Sequence, residues 1–166
     1  MSSVTADIPS GERIREIRIF DIRINPLSRS EFLSVISKST KEGGQLAQFG
    51  VNSATINDIV RNEELRHIIN NADLVHIDGM SVVWALRSFG YTIPERVATP
   101  DLADDVLALA EREKLSLFLF GAKQDILELC RQRIEAKFPN IRIVGCRNGY
   151  YRPEEERGIF EKINES

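Results

Sequence analysis

The sequence predicts an α/β protein of Rossmann-like form, with a mainly parallel sheet carrying helices on both faces. Short apolar runs alternate with amphipathic helical stretches along most of the chain, the pattern of strands joined by crossover helices. Most apolar runs stop on Asn, Asp or Gly just before a helical stretch, as Leu74-Val75-His76-Ile77 does on Asp78-Gly79. Open α/β sheets bind their ligands where parallel strands end. These stops are therefore the places to look for chemistry.

The elements follow in order. Residues 1–11 are polar and without periodicity, and are expected as a mobile tail ahead of one α/β core over 12–166. Ile17-Arg18-Ile19-Phe20-Asp21-Ile22-Arg23-Ile24 alternates with period two, as a strand with one buried face does, and Asn25-Pro26 ends it. Ser28-Arg29-Ser30-Glu31 matches a capping box opening a helix with Phe32, Val35 and Ile36 on one side, up to Gly43-Gly44. Residues 48–52 form a second strand. Residues 54–60 and Glu63–Asn70 have helical spacing, with Leu65, Ile68 and Ile69 on one face.

Leu74–Ile77 is the next buried strand, and 81–89 a mostly apolar helix that includes Trp84 and stops at Gly90. After a loop at 91–100, residues 101–114 place acids in the first turn and bases in the last, as a helix dipole prefers. Residues 115–120 are an apolar strand, and Gly121-Ala122-Lys123 turns into a helix that runs to Phe138 and stops at Pro139-Asn140. A strand at 141–146 and a helix at 154–164 complete the series.

Composition narrows the function classes. The 166 residues are 42% hydrophobic and 28% charged, ordinary for a globular core. A net charge of -3 lacks the dense basic face of a dedicated nucleic-acid binder, so no nucleic-acid partner is expected. No apolar run is long enough to span a bilayer and the start lacks a secretory signal, so the chain reads as cytoplasmic. Cys130 and Cys146 have no partner at metal-ligand spacing and read as reduced, space-filling thiols.

Several residues carry candidate chemistry, each with a plainer alternative. Asp78 either caps the helix that follows, with Gly79 supplying a tight turn, or acts as a general base at the strand end. Asn52 in Gly50-Val51-Asn52-Ser53 either caps a helix or orients a polar ligand through its amide. Arg96 in Pro94-Glu95-Arg96-Val97 suits a diphosphate, or is a solvated loop charge. Gly121 precedes a helix whose N-terminal amides can meet an anion, but lacks P-loop spacing. His76 reads as a packed, hydrogen-bonded core histidine, His67 as exposed, and Trp84 and the phenylalanines as core. Neither histidine forms a metal set with Asp78, and no metal or cofactor is expected. No Gly-x-Gly-x-x-Gly turn follows the first strand, which disfavours a dinucleotide-dependent oxidoreductase.

Taken in order, Val51-Asn52, Asn71-Ala72-Asp73-Leu74-Val75, Asp78-Gly79-Met80-Ser81-Val82-Val83-Trp84-Ala85, Pro94-Glu95-Arg96-Val97, Asp101-Leu102, Leu119-Phe120-Gly121-Ala122-Lys123, Ile143-Val144-Gly145 and Gly149-Tyr150-Tyr151 form a specific series. The chain resembles the WecG/TagA/CpsF glycosyltransferases over about 17–151. That resemblance implies transfer of an N-acetylmannosamine-type or related hexose from a UDP-sugar to a polyprenyl-diphosphate-linked acceptor, in surface-polysaccharide or teichoic-acid-type synthesis. It implies an inverting, metal-independent reaction, with Asp78 as general base and Asn52, Gly79, Arg96 and Gly121 on the substrate side.

Three departures accompany the resemblance. Gly50 stands where the family usually has threonine, and Ala98-Thr99 where it commonly reads Thr-Gly. The family also continues with another strand, a Pro-x-Gln-Glu motif and a basic C-terminal segment that contacts the membrane, none of which precedes Ser166. The core is thus expected to lack the family's C-terminal part. An alternative expectation is a catalytically incompetent remnant that binds nucleotide-sugar or a protein partner. Peripheral contact with the inner face of the cell membrane would need the absent segment, and a homo-oligomer is compatible with either reading.

Overall fold

A computed structural model of the chain describes residues 4–7 and 13–166. The architecture is a Rossmann-like mixture of strands and helices in two compact units, Met1–Ala103 and Asp104–Ser166. Part of the expected N-terminal tail lies outside the described residues. The described part, Val4–Asp7 (β1), pairs antiparallel with Arg13–Ile19 (β2).

The alternating run at 17–24, expected as one strand, is a hairpin. β2 turns back into Ile22–Ile24 (β3), with Ile17 opposite Ile24 and Ile19 opposite Ile22. Phe20 and Asp21 form the turn in the left-handed region, at φ 51° and 59°. A two-residue hairpin turn of type I′ needs positive φ at both positions, which aspartate tolerates and phenylalanine resists. Asn70 clamps the turn from outside, its Nδ2 donating to Asp21 O (2.8 Å) and its Oδ1 accepting from Arg23 N (2.9 Å).

The capping box forms as expected. Ser28 and Glu31 satisfy each other's backbone at the start of Arg29–Lys41 (α1), which buries Phe32 and Val35. Gln48–Val51 (β4) then pairs in parallel with Leu74–Ile77 (β5), joined by Ser53–Arg61 (α2) and Glu63–Asn70 (α3). All four residues of β5 are buried. Its opposite edge accepts hydrogen bonds from Asn25 N to Val75 O (2.7 Å) and from Val97 N to Ile77 O (2.9 Å).

Met80–Ser88 (α4) follows, burying Val82, Val83 and Leu86. Trp84 lies off that face and is 65% exposed, so it is not core as the sequence suggested. Of the phenylalanines, Phe32 and Phe138 are buried, while Phe20, Phe49, Phe89, Phe120 and Phe160 are exposed.

The unit boundary falls within Thr99–Glu113 (α5). In the second unit Ser116–Phe120 (β6) pairs in parallel with Arg142–Arg147 (β7), followed by a short 3-10 turn at Pro153–Glu155 and by Glu156–Asn164 (α7). Gln124–Lys137 (α6) connects the two strands. A β-carbon at Gly145 would overlap the Phe118 ring, which is why glycine sits in that strand. Cys130 and Cys146 are free thiols, and Cys130 is exposed rather than filling space.

Asn25, 1% exposed, joins the hairpin to β5. Its Oδ1 accepts from Val75 N (2.9 Å) and its Nδ2 donates to Arg15 O (3.2 Å). In Asn25→Ala both backbone groups lose that side chain, a cost of about 2–4 kcal/mol. Urea unfolding is expected to show a lower midpoint by that amount with an unchanged m-value.

Candidate functional site

The site is assembled at the C-terminal ends of β4 and β5. Asp78 N and Gly79 N both donate to Val51 O (2.9 and 3.3 Å), so the chain leaving β5 stays fastened to the end of β4. The Asp78 side chain does not cap α4: the N-cap is Gly79, and no side chain bonds there. Instead its Oδ1 accepts from Thr99 N (2.8 Å), the first residue of α5. Among the described residues Oδ2 has no hydrogen-bond partner.

Asn52 is the N-cap of α2, its Oδ1 accepting from the amides of Ala54 (3.0 Å) and Thr55 (3.1 Å) and from the Thr55 hydroxyl (3.2 Å). The cap occupies only the oxygen. Its Nδ2 makes no hydrogen bond among the described residues, so the cap and ligand readings of this residue are compatible. Gly79 explains itself through the same residue, because a β-carbon there would stand 3.0 Å from Asn52 Cβ and 3.1 Å from Asn52 Cα. Both approaches are tighter than a side chain tolerates without a shift.

Arg96 reaches this strand end through its neighbour, since Val97 N bonds Ile77 O beside Asp78. The guanidinium is exposed and pairs with Asp101 Oδ2 at 3.2 Å. Glu95 braces the loop by accepting from Arg29 N (2.7 Å). The structure thus gathers Asn52, Asp78, Gly79 and the Arg96 loop. Gly121 belongs to the second unit, where φ 137° requires glycine and its N donates to Arg147 O (3.0 Å).

His76 departs from expectation in one respect. It is packed, at 0% exposure, with its ring 5.0 Å from Phe32 in an edge-on contact. Among the described residues neither ring nitrogen has a hydrogen-bond partner. Strand period two puts His76 and Asp78 on one face of β5. A β-carbon at Gly50 would meet His76 Nε2 at 2.8 Å and Thr99 Oγ1 at 3.1 Å. Gly50 and Thr99, two of the positions at which the sequence departs from the family pattern, therefore meet around His76, and Thr99 is the residue that holds Asp78. Sequence reasoning missed this role of Thr99. The only hint was the i, i+2 spacing of His76 and Asp78.

The sequence profile of the WecG/TagA/CpsF family of glycosyl transferases matches residues 17–166. The chain belongs to the WecG/TagA/CpsF glycosyltransferase family. As a family member it is a glycosyltransferase of cell-surface polysaccharide synthesis, acting between a sugar donor and an acceptor. The match takes in β4, β5 and every residue of the strand-end site. Among the described residues, this WecG/TagA/CpsF member has no helix long and apolar enough to cross a membrane.

Burial pushes the His76 pKa below its ordinary 6.5, against the opposing pull of the Asp78 carboxylate. Below pH 6.5 the unfolded chain binds a proton there that the folded chain resists. Stability is therefore lost as the pH falls from about 6.5 through the folded pKa, and is held above it. Urea midpoints at pH 7.5 and 5.5 are expected to differ less in His76→Leu than in the wild type.

Proposed function

We propose that the chain transfers an N-acetylmannosamine-type or related hexose from a UDP-sugar to a hydroxyl of a polyprenyl-diphosphate-linked acceptor, with inversion at the anomeric carbon and Asp78 as general base. The observation that carries this reading is the state of the Asp78 carboxylate. One oxygen is held by Thr99 N at 2.8 Å, and the other is without a partner among the described residues. A base needs that combination of fixed orientation and an unoccupied lone pair.

In the reaction, Asp78 Oδ2 takes the proton of the acceptor hydroxyl as its oxygen bonds to the anomeric carbon. The bond from that carbon to the diphosphate breaks on the opposite face, and UDP departs with the electron pair. Charge thus grows on the diphosphate, and cationic or amide donors aimed at it lower the barrier. Arg96 suits this role because its pair with Asp101 is exposed and worth little, at most about 1 kcal/mol, so exchange for a diphosphate is easy. The first amides of α4, at Met80 and Ser81, have no partner among the described residues and support the same placement. Asn52 Nδ2 is assigned to a sugar hydroxyl. Gly79 keeps the two strand ends close. Gly121 is assigned to the substrate side on the family pattern, through the amides that open α6.

Asp78→Asn keeps an acceptor for Thr99 N and removes the base. It is expected to lower kcat by about 100-fold to 10,000-fold with little change in the donor KM. Turnover equal to wild type would eliminate the assigned base. Asn52→Asp retains a capping oxygen and deletes the amide donor, so it should raise KM without loss of stability. Asn52→Ala should lose about 1 kcal/mol of stability as well. Radiolabelled sugar transfer and thermal unfolding separate these outcomes.

A further inference from the structure

Beside the strand-end site lies a cleft of about 250 Å3 between α2 and α4, closed at one end by the β2–β3 turn. Phe20, Ile56, Ala85 and Phe89 line it together with Ser53 and Ser81, and no charged side chain among the described residues does. Ser53 is the residue after Asn52. Ser81 Oγ lies 3.6 Å from the position of a β-carbon on Gly79. The lining of the apolar cleft thus begins one residue after Asn52 and two residues after Gly79.

Phe20 is the unusual residue here. It occupies a left-handed conformation that resists a bulky side chain, at φ 51°, and yet is 63% exposed. Neither turn geometry nor core packing accounts for a phenylalanine at that position. Phe89 faces the same space at 52% exposure. Two exposed rings at the mouth of an uncharged cleft give a surface for an apolar ligand.

We propose that this cleft is a binding subsite for the isoprenoid chain of the acceptor, holding its first units while the diphosphate and sugar lie toward Asn52 and Asp78. The inference rests on the lipid-linked acceptor of the proposed function. Size favours a segment over a whole ligand, since complete small-molecule sites usually span about 300–1,000 Å3. Charge does too: an uncharged lining suits hydrocarbon, whereas the neighbouring strand end carries Asp78, Arg96 and free amides for the polar remainder.

The test is binding of geranyl diphosphate, farnesyl diphosphate and inorganic diphosphate, followed by calorimetry and by the fluorescence of Trp84, the single tryptophan, on α4. Affinity is expected to rise roughly tenfold for each isoprene unit seated. Phe20→Asn and Ala85→Glu should each lose at least about tenfold in farnesyl diphosphate affinity and leave inorganic diphosphate binding unchanged. Asparagine adopts positive φ more readily than phenylalanine, so Phe20→Asn should hold or gain thermal stability while losing the ligand. Equal affinity for farnesyl and inorganic diphosphate, or parallel losses for both ligands in the variants, would overturn the subsite. So would sedimentation showing that the variants dissolve a dimer with no effect on prenyl binding, or binding to vesicles regardless of prenyl lipid. Chain-length-dependent binding without any sugar transfer upholds the cleft and defeats the transfer reading. Transfer that ignores prenyl length does the reverse.

Discussion

The first unit depends on how β5 is held on both edges. Its parallel pairing with β4 uses one edge; on the other, Asn25 meets Val75 with both its backbone N and its side-chain oxygen, and Val97 N donates to Ile77 O. One asparagine amide supplies both a donor and an acceptor, as a peptide does, so it can bond Val75 on one side and Arg15 on the other. In a buried setting these groups have no water to fall back on. The hairpin is therefore attached to the parallel pair by hydrogen bonds that an apolar residue at position 25 could not make. With β5 fixed, the position of Asp78 beyond its last residue follows.

Asp78 is then oriented by contacts distant in sequence. Thr99 N–H fixes one oxygen, Thr99 packs over Gly50, and the same glycine leaves room for His76. A residue larger than glycine at position 50 would press on both His76 and Thr99, hence on the partner of Asp78. The departures at 50 and at 98–99 are in this sense one substitution in space, since a threonine at 50 and a histidine at 76 would compete for the same volume.

Polar and apolar surfaces divide along α4. Its N-terminus, with Gly79 against Asn52, faces the strand end, whereas Ala85 and Phe89 face the cleft toward Phe20. The strain at Phe20 is tolerated because Asn70 grips the turn on both sides. An exposed phenylalanine in a turn whose next residues, Asp21 and Arg23, are pinned by Asn70 marks a surface shaped for something other than folding.

Local signals in the sequence were read well where their physics is local. The Ser28–Glu31 capping box, the apolar β5 run and the glycine after Asp78 each rest on neighbours within a few residues, and the ordered motifs sufficed for the family. The hairpin at 17–24 is hidden in an alternation that runs on across it, although the step from Ile19 to Ile22 slips the phase by one. Trp84 is exposed against expectation because the sequence of an apolar helix shows which residues are hydrophobic but not which face is covered. The strand and helix series from α1 onward, the family and the candidate residues Asn52, Asp78 and Arg96 are legible in the sequence alone. Only the tertiary structure decided that Asn52 caps with its oxygen alone, that Asp78 is held by Thr99, and that Gly50 makes room for His76. The last two of these depend on contacts between residues 21 and 26 positions apart, whose geometry the close-packed interior sets and no local pattern encodes.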